Sequence, residues 1–362
     1  MSDELEALRE SLRDFLATKS DARRVVDGDA AYDRAIWRQM AEQLGLQSLV
    51  LPGDYGGDGY GFAELRVVME EMGRALLPSA FLSSVVMGAS ALVASGDATA
   101  QSLHLPALAA GDTTATFAVA EGAGSWDLDE IGTRADREGD HWTLTGEKSL
   151  VVDGATAELV LVVARTGAGP SLFAVTGDAE GLTRAPLRAL DPTRKIARLT
   201  FAGTPAVLVG TDGGAGPVVE RVLRLTEAAL AAEQVGGARA CLEASAVYAR
   251  ERRQFGRAIG SFQAVKHKCA EMLSRVELAQ AAATEAADAV DSGDAAAATA
   301  VAHAVCSEAF MFVAAENIQV HGGIGFTWEH PAHLYYRRAK SSQLLLGGPA
   351  VYYERMLRRL GV

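Results

Sequence analysis

The sequence predicts an α+β protein in three parts: a helical domain, a small β-domain, and a bundle of long helices. Three observations carry that expectation. Apolar residues recur at helical spacing up to about residue 110. The pattern then changes to short, β-branched runs bounded by Gly and Asp, and from Val218 it turns helical again and rich in alanine. With 362 residues, the chain has length for two or three domains with buried cores.

In residues 1–110, Leu5, Leu8, Leu12, Phe15 and Leu16 share helical spacing, as do Ile36, Met40 and Leu44, then Leu65, Val68, Met69 and Met72. Between them the glycine-rich stretch Leu51–Gly61 predicts irregular backbone. Residues 111–213 read as the β-domain, a barrel or sandwich, with strands in TATFAVAE, HWTLTGEKSLVV, AELVLVVAR, PSLFAVT, IARLTFAG and the proline-containing PAVLVG. Gly214–Pro217 marks the boundary to residues 214–362. There, Val218–Tyr248, Phe262–Val290 and Ala295–Val320 predict long helices joined by short turns, an antiparallel bundle. Alanine favours helix and permits close helix approach, so the Ala-rich tracts read as packing rather than disorder.

Composition narrows the function classes. A net charge of −12 and a pI near 5.1 argue against nucleic acid as the main partner. Cys241, Cys269 and Cys306 show no metal-ligand spacing, so we expect reduced thiols in a cytoplasm and no metal site. The N-terminus is charged and amphipathic rather than signal-like. The apolar run Ala80–Ser95 is interrupted by Ser83, Ser84, Gly88 and Ser90, so no membrane span is expected.

Against that acidic background, Arg250, Arg252, Arg253 and Arg257 crowd one turn within Tyr248–Lys268. Arginine presents a fixed fork of donors to phosphate, so the cluster is a candidate anion site. Solvated arginines completing a helix C-terminus are the alternative. The run Arg252-Arg253-Gln254-Phe255-Gly256-Arg257, then Phe262-Gln263-Ala264 and Lys266, is joined downstream by Gln319-Val320-His321-Gly322-Gly323-Ile324-Gly325-Phe326.

These two motifs resemble the acyl-CoA dehydrogenase family of flavoproteins, and the resemblance covers nearly the whole chain. It implies the same three-domain order, ending in an antiparallel four-helix bundle, and FAD as cofactor. It also implies a reaction that removes two hydrogens across Cα–Cβ of an acyl-CoA thioester, with a carboxylate taking the Cα proton. In the family each FAD lies across a subunit interface. One subunit surrounds the ring and provides the base; its neighbour holds the ADP portion. On the ADP side Arg252 matches the pyrophosphate-binding arginine, Gln254 a polar neighbour and Phe255 an aromatic contact. Gln319, Gly322 and Gly323 match the segment whose backbone approaches the dinucleotide. Glycine after a helix is also an ordinary C-cap. The loop 51–61 matches the one leading to the acyl-pocket wall.

The ring side departs from the family pattern. Leu150-Val151-Val152 stands where relatives commonly carry Trp-x-Thr, and Ala120 replaces a threonine. Leu346-Gly347-Gly348 replaces Glu-Gly-Thr, so the commonest base position holds a leucine. Relatives with the base on the first bundle helix place it before an arginine; here those positions are Thr226 and Glu227. Glu227 is thus one residue out of register, about 100° around a helix. It is the candidate catalytic residue, with Glu233 and Glu243 holding weaker claims. The resemblance therefore implies the base-less partner subunit of a hetero-oligomer, a heterotetramer with a related subunit. Electron-transfer flavoprotein is the implied acceptor. A self-sufficient homo-oligomer using Glu227 and a flavin-free scaffold are the alternatives.

Overall fold

The helical first part begins with α1 (Asp3–Lys19), α2 (Ala22–Val26), α3 (Arg34–Leu44) and α4 (Phe62–Arg74). A π-helical stretch, Leu82–Ala89, then runs into α5 (Ser90–Ser95), and α6 (Ala98–Ala109) follows. This computed structural model describes residues 3–28, 30–293 and 295–359. Local chemistry sets the ends: Asp21, Asp33 and Asp97 each cap a helix by accepting backbone N–H bonds, and Gly45 closes α3 at φ 60°. Charge ties α1 down. Arg13 grips Glu71 with two bonds of 2.7 and 3.1 Å, while Arg9 reaches Glu70 at 2.7 Å and Glu71 at 3.0 Å. Both carboxylates are buried on α4, so the arginines neutralise charge that water does not reach.

The middle part closes into a barrel. Its strands are β1 (Ala115–Ala118), β2 (Arg134–Glu138), β3 (His141–Val152), β4 (Leu159–Thr166), β5 (Gly169–Thr176), β6 (Leu182–Pro186) and β7 (Ile196–Val209). The path β4-β2-β3-β7-β5 returns to β4, with β1 parallel beside β4 and β6 flanking β7. Side chains alternate across β4: Val160, Val162 and Ala164 fill the barrel, while Leu159, Leu161 and Val163 join the core shared with the helices. Burial on both faces explains its unbroken apolar run.

Two details differ from expectation. β2 and β6 lie outside the strands expected within the β-domain, because mostly exposed polar residues give no apolar alternation. IARLTFAG and PAVLVG form one strand, β7. Pro205 sits opposite Thr143, beside a register shift at Leu144/Thr145 where the ladder is already irregular.

The last part is α7 (Ala215–Glu251), a short hairpin of β8 (Arg253–Gln254) and β9 (Arg257–Ala258), α8 (Gln263–Ser292), α9 (Ala296–His321), α10 (Ala332–Leu344) and α11 (Pro349–Arg359). The pairs Glu227–Thr299 and Ser245–Asn317 show that α7 and α9 run in the same direction, with α8 reversed between them. α4 lies against α7 where both carry glycine: a Cβ on Gly236 would meet the Glu70 carbonyl at 1.8 Å. By length and composition α9 could cross a membrane. Just over half of its apolar residues, Phe310, Val313 and Ile318 among them, are instead buried, with α9 packed against α7, α8, α10 and α11.

Candidate functional site

The arginine turn and the glycine motif meet at one end of the bundle. Tyr248 on α7 stacks on His321 at the end of α9 with ring centroids 4.4 Å apart, and Ser245 Oγ donates to Asn317 Oδ1 at 2.9 Å one turn below. Beyond that contact α7 stops, and the Arg252 N–H closes the last turn onto the Tyr248 carbonyl at 2.8 Å. The hairpin then turns through Phe255 at φ 51° and Gly256 at φ 78°. Two residues with positive φ match the right-handed twist of a tight hairpin, which suits Gly256 but strains Phe255.

The strained residue is also an exposed one. Phe255 is 92% exposed and touches Phe262 edge-on at 6.1 Å, while Arg257 covers the other ring at 4.0 Å. Arg252, Arg253 and Gln254 are exposed, and among the described residues neither arginine side chain has an ion-pair partner. Gln319, Gly322 and Gly323 face solvent nearby, and a Cβ on either glycine would meet nothing within 4 Å. Gln319 also lines a cavity of about 460 Å³ with Trp328, Tyr336 and Arg337. Arg337 lies over the Trp328 ring at 5.3 Å. Unpaired cationic forks, an aromatic wall and bare backbone suit a nucleotide diphosphate. These residues fit the ADP portion of a dinucleotide.

The ring-side positions have a different character. At the end of β3 a register shift between Lys148 and Val151 accompanies φ values of 52° at both Leu150 and Asp153. Lys148 is fully buried and anchors the bulge, donating to the Val119 carbonyl at 3.0 Å and to Glu121 at 2.6 Å. Burial pushes its pKa down to about 8, against the pull of Glu121. Asp153 turns inward to accept from Ser83 at 2.6 Å, and burial pushes its pKa up to about 6. Ala120, Val152 and Leu346 are all buried, Leu346 within the large apolar core.

Val152 lines a cavity of about 20 Å³ between α4, the π-helical stretch, the loop 191–195 and the bundle. That is room for about one water, not for a three-ring flavin. Its polar wall is a buried ionic cluster. Glu233 on α7 receives Arg338 from α10 on one oxygen and Arg194 from the loop on the other. Arg338 also donates to Asp191 at 2.8 Å and to the Thr193 hydroxyl at 2.6 Å, and Arg194 donates to Ser342 at 2.9 Å. Burial opposes ionisation of Glu233, but the two guanidiniums outweigh it and hold its carboxyl below the usual range. The Val152 cavity therefore has no room for an isoalloxazine; Asp191 and Arg194 also line a separate cavity of about 350 Å³ with Ala155, Thr156, Lys195 and Ile196.

Glu227 is fully buried on another face of α7, where Thr299 Oγ1 on α9 donates to it at 2.8 Å. Thr226 bonds back to the Val222 carbonyl at 2.7 Å, and Glu243 lies at the surface beside Arg74. Glu233 is the helix carboxylate that borders the Val152 cavity. Sequence reasoning missed its partners Asp191, Thr193, Arg194 and Arg338. The sequence carried only a weak signal: adjacent Arg337 and Arg338 on a helix point about 100° apart, so their surroundings can differ.

A helical domain, a barrel and a bundle ending in exposed arginines beside bare glycine backbone make up the scaffold of an acyl-CoA dehydrogenase-like flavoprotein. The models of the acyl-CoA dehydrogenase N-terminal, middle and C-terminal domains match residues 2–112, 116–203 and 214–361, so the chain belongs to the acyl-CoA dehydrogenase family. Members of this family are FAD-dependent flavoproteins. The chain is 34% identical to acyl-CoA dehydrogenase IpdE2 of Mycobacterium tuberculosis, over 99% of this chain and 96% of that protein. Among solved structures, the steroid ACAD Tcur3481-Tcur3483 matches with a TM-score of 0.90 and 31% identity, covering 99% of this chain and 98% of that one. The ChsE4-ChsE5 complex from Mycobacterium tuberculosis matches with a TM-score of 0.92 and 29% identity, covering 100% and 98%.

Proposed function

We propose that this chain is one subunit of an FAD-dependent acyl-CoA dehydrogenase and works in a hetero-oligomer with a related subunit. It contributes Arg252, Gln254, Phe255, Gln319, Gly322 and Gly323 to the ADP portion of a flavin whose ring and catalytic base belong to the partner. One observation carries the reading. The ADP-side groups are exposed, with no ion-pair partner for Arg252 among the described residues, while the ring side holds buried Leu346 and a Val152 cavity of about 20 Å³. A scaffold without flavin would have no use for the first; a self-sufficient enzyme could not use the second.

The substrate class is an acyl-CoA thioester. Steroid-derived acyl chains are favoured by the relative solved as a steroid ACAD, and pairing by the relative solved as the ChsE4-ChsE5 complex. Electron-transfer flavoprotein as acceptor and a cytoplasmic location complete the proposal. The test is acyl-CoA oxidation by the purified chain, alone and co-expressed with a family member carrying the catalytic glutamate. Activity should need both chains. Glu227→Gln in this chain should leave the pair's activity within a few-fold, because Glu227 faces α9 rather than the Val152 cavity. Complete loss of turnover in an intact complex would instead establish Glu227 as the base.

A further inference from the structure

We infer that Glu233, Arg194, Arg338 and Asp191 form a permanent lock across the seam between barrel and bundle, taking the structural place of a flavin ring in this chain. The inference rests on the half-site reading and concerns the ring side, which that reading leaves without a role.

The geometry is that of a finished contact rather than an empty receptor. Two guanidiniums face two carboxylates, so the cluster is neutral. Both Glu233 oxygens are used, one by each arginine. Asp191 Oδ2 accepts from Arg338, and its Oδ1 accepts the Thr193 N–H at 2.8 Å and hydroxyl at 2.5 Å. Arg338 adds the Thr193 carbonyl at 3.1 Å, and Arg194 adds Ser342 at 2.9 Å. A pocket awaiting a polar ligand keeps donors or acceptors free to meet it, as Gln319 does in the cavity of about 460 Å³ at the end of α9. Here the groups satisfy one another, and the cavity of about 20 Å³ beside Glu233 is walled mainly by apolar side chains such as Met69, Met72 and Leu82. The cavity of about 350 Å³ on which Asp191 and Arg194 border lies toward Thr156 and Lys195, while both residues keep their partners within the cluster.

The lock joins three elements whose contributing residues lie far apart along the chain: the loop before β7, α7 and α10. Removing one member leaves the opposite charge buried without a counter-charge, which is far costlier than losing a surface pair. That cohesion comes from the chain's own side chains. This chain has it built in, so its fold should not depend on the cofactor.

The full-length chain, purified alone, provides the test. Riboflavin carries the ring without the ADP portion, and its fluorescence should be neither quenched nor shifted by the wild-type chain. The Thr193 amide should exchange with solvent about as slowly as the core amides of α7, within roughly tenfold. Glu233→Gln, nearly the same size, should lower the melting temperature by roughly 5 °C or more. If that variant does not fold, wild-type exchange decides. Stoichiometric riboflavin binding, fast exchange at Thr193, or an unchanged melting temperature in Glu233→Gln would each overturn the lock. Those outcomes leave the half-site reading standing, provided that the assembled pair still holds one flavin for two unlike chains.

Discussion

Asp153 is a carboxylic acid that the fold removes from water and gives a hydroxyl, Ser83, as its near partner. Burial raises its pKa to about 6, so the folded protein holds a proton that the unfolded chain releases near pH 4. The sign follows. The group costs no stability below about pH 4, costs progressively more up to pH 6, and costs its full amount above that. Asp153→Asn should therefore stabilise the protein by on the order of 2 kcal/mol at pH 7–8, with the gain shrinking as pH falls from 6 toward 4. Thermal melts across that range check it; a gain independent of pH would remove burial of charge as the cause. Arg252 poses the opposite case, a charge left fully in water with no partner among the described residues. Its removal should leave stability within about 0.5 kcal/mol. FAD retention by the assembled enzyme should weaken roughly tenfold to a hundredfold, the usual cost of a charge-assisted contact. Unchanged flavin affinity in an intact complex would take Arg252 out of the site.

Among the elements, α7 does the most positioning, and glycine is the means. Gly236 lets α7 approach α4 so closely that a Cβ would stand 1.8 Å from the Glu70 carbonyl, and Gly73 repeats the contact against Glu233 at 2.0 Å. Backbone cannot yield as a side-chain end can, so Gly236→Ala should destabilise by about 3 kcal/mol or more. Gly216 in the first turn of the same helix meets nothing within 4 Å, and Gly216→Ala should be neutral or stabilising by up to about 1 kcal/mol. Equal effects in denaturant unfolding would contradict the close-approach account. The long elements were legible in the sequence because their periodicity reports burial: α7, α8 and α9 follow the alanine-rich patterns, and β4 follows AELVLVVAR. Exposed β2 and β6 bury too little to leave a pattern, and the π-helical Leu82–Ala89 differs from an α-helix in a hydrogen-bond register that composition does not encode.

At the scale of the molecule, the tip of the bundle and its seam with the barrel differ in chemistry: exposed arginines at the first, a buried ionic cluster at the second. Motif residues made the proposed ADP side legible, since Arg252, Phe255, Gln319 and Gly322 are individually exposed groups. The ring end was legible only as losses at Leu150, Val152 and Leu346. What fills that space is contributed by residues far apart in the chain, Asp191 and Arg194, Glu233, and Arg338, so no local spacing announced it. Division of labour between unlike subunits explains both ends with one cause. Restoring Leu346→Glu alone should accordingly rescue nothing, because the ring would still meet Val152 and a filled seam. The most direct measurement is the ratio of bound FAD to protein, from the visible spectrum and total amino-acid content of the chain purified alone and with a glutamate-bearing relative. The account predicts little or no flavin on the chain alone and one flavin for each pair of unlike chains in the complex. One FAD per subunit on the chain alone, with turnover of an acyl-CoA, would contradict it.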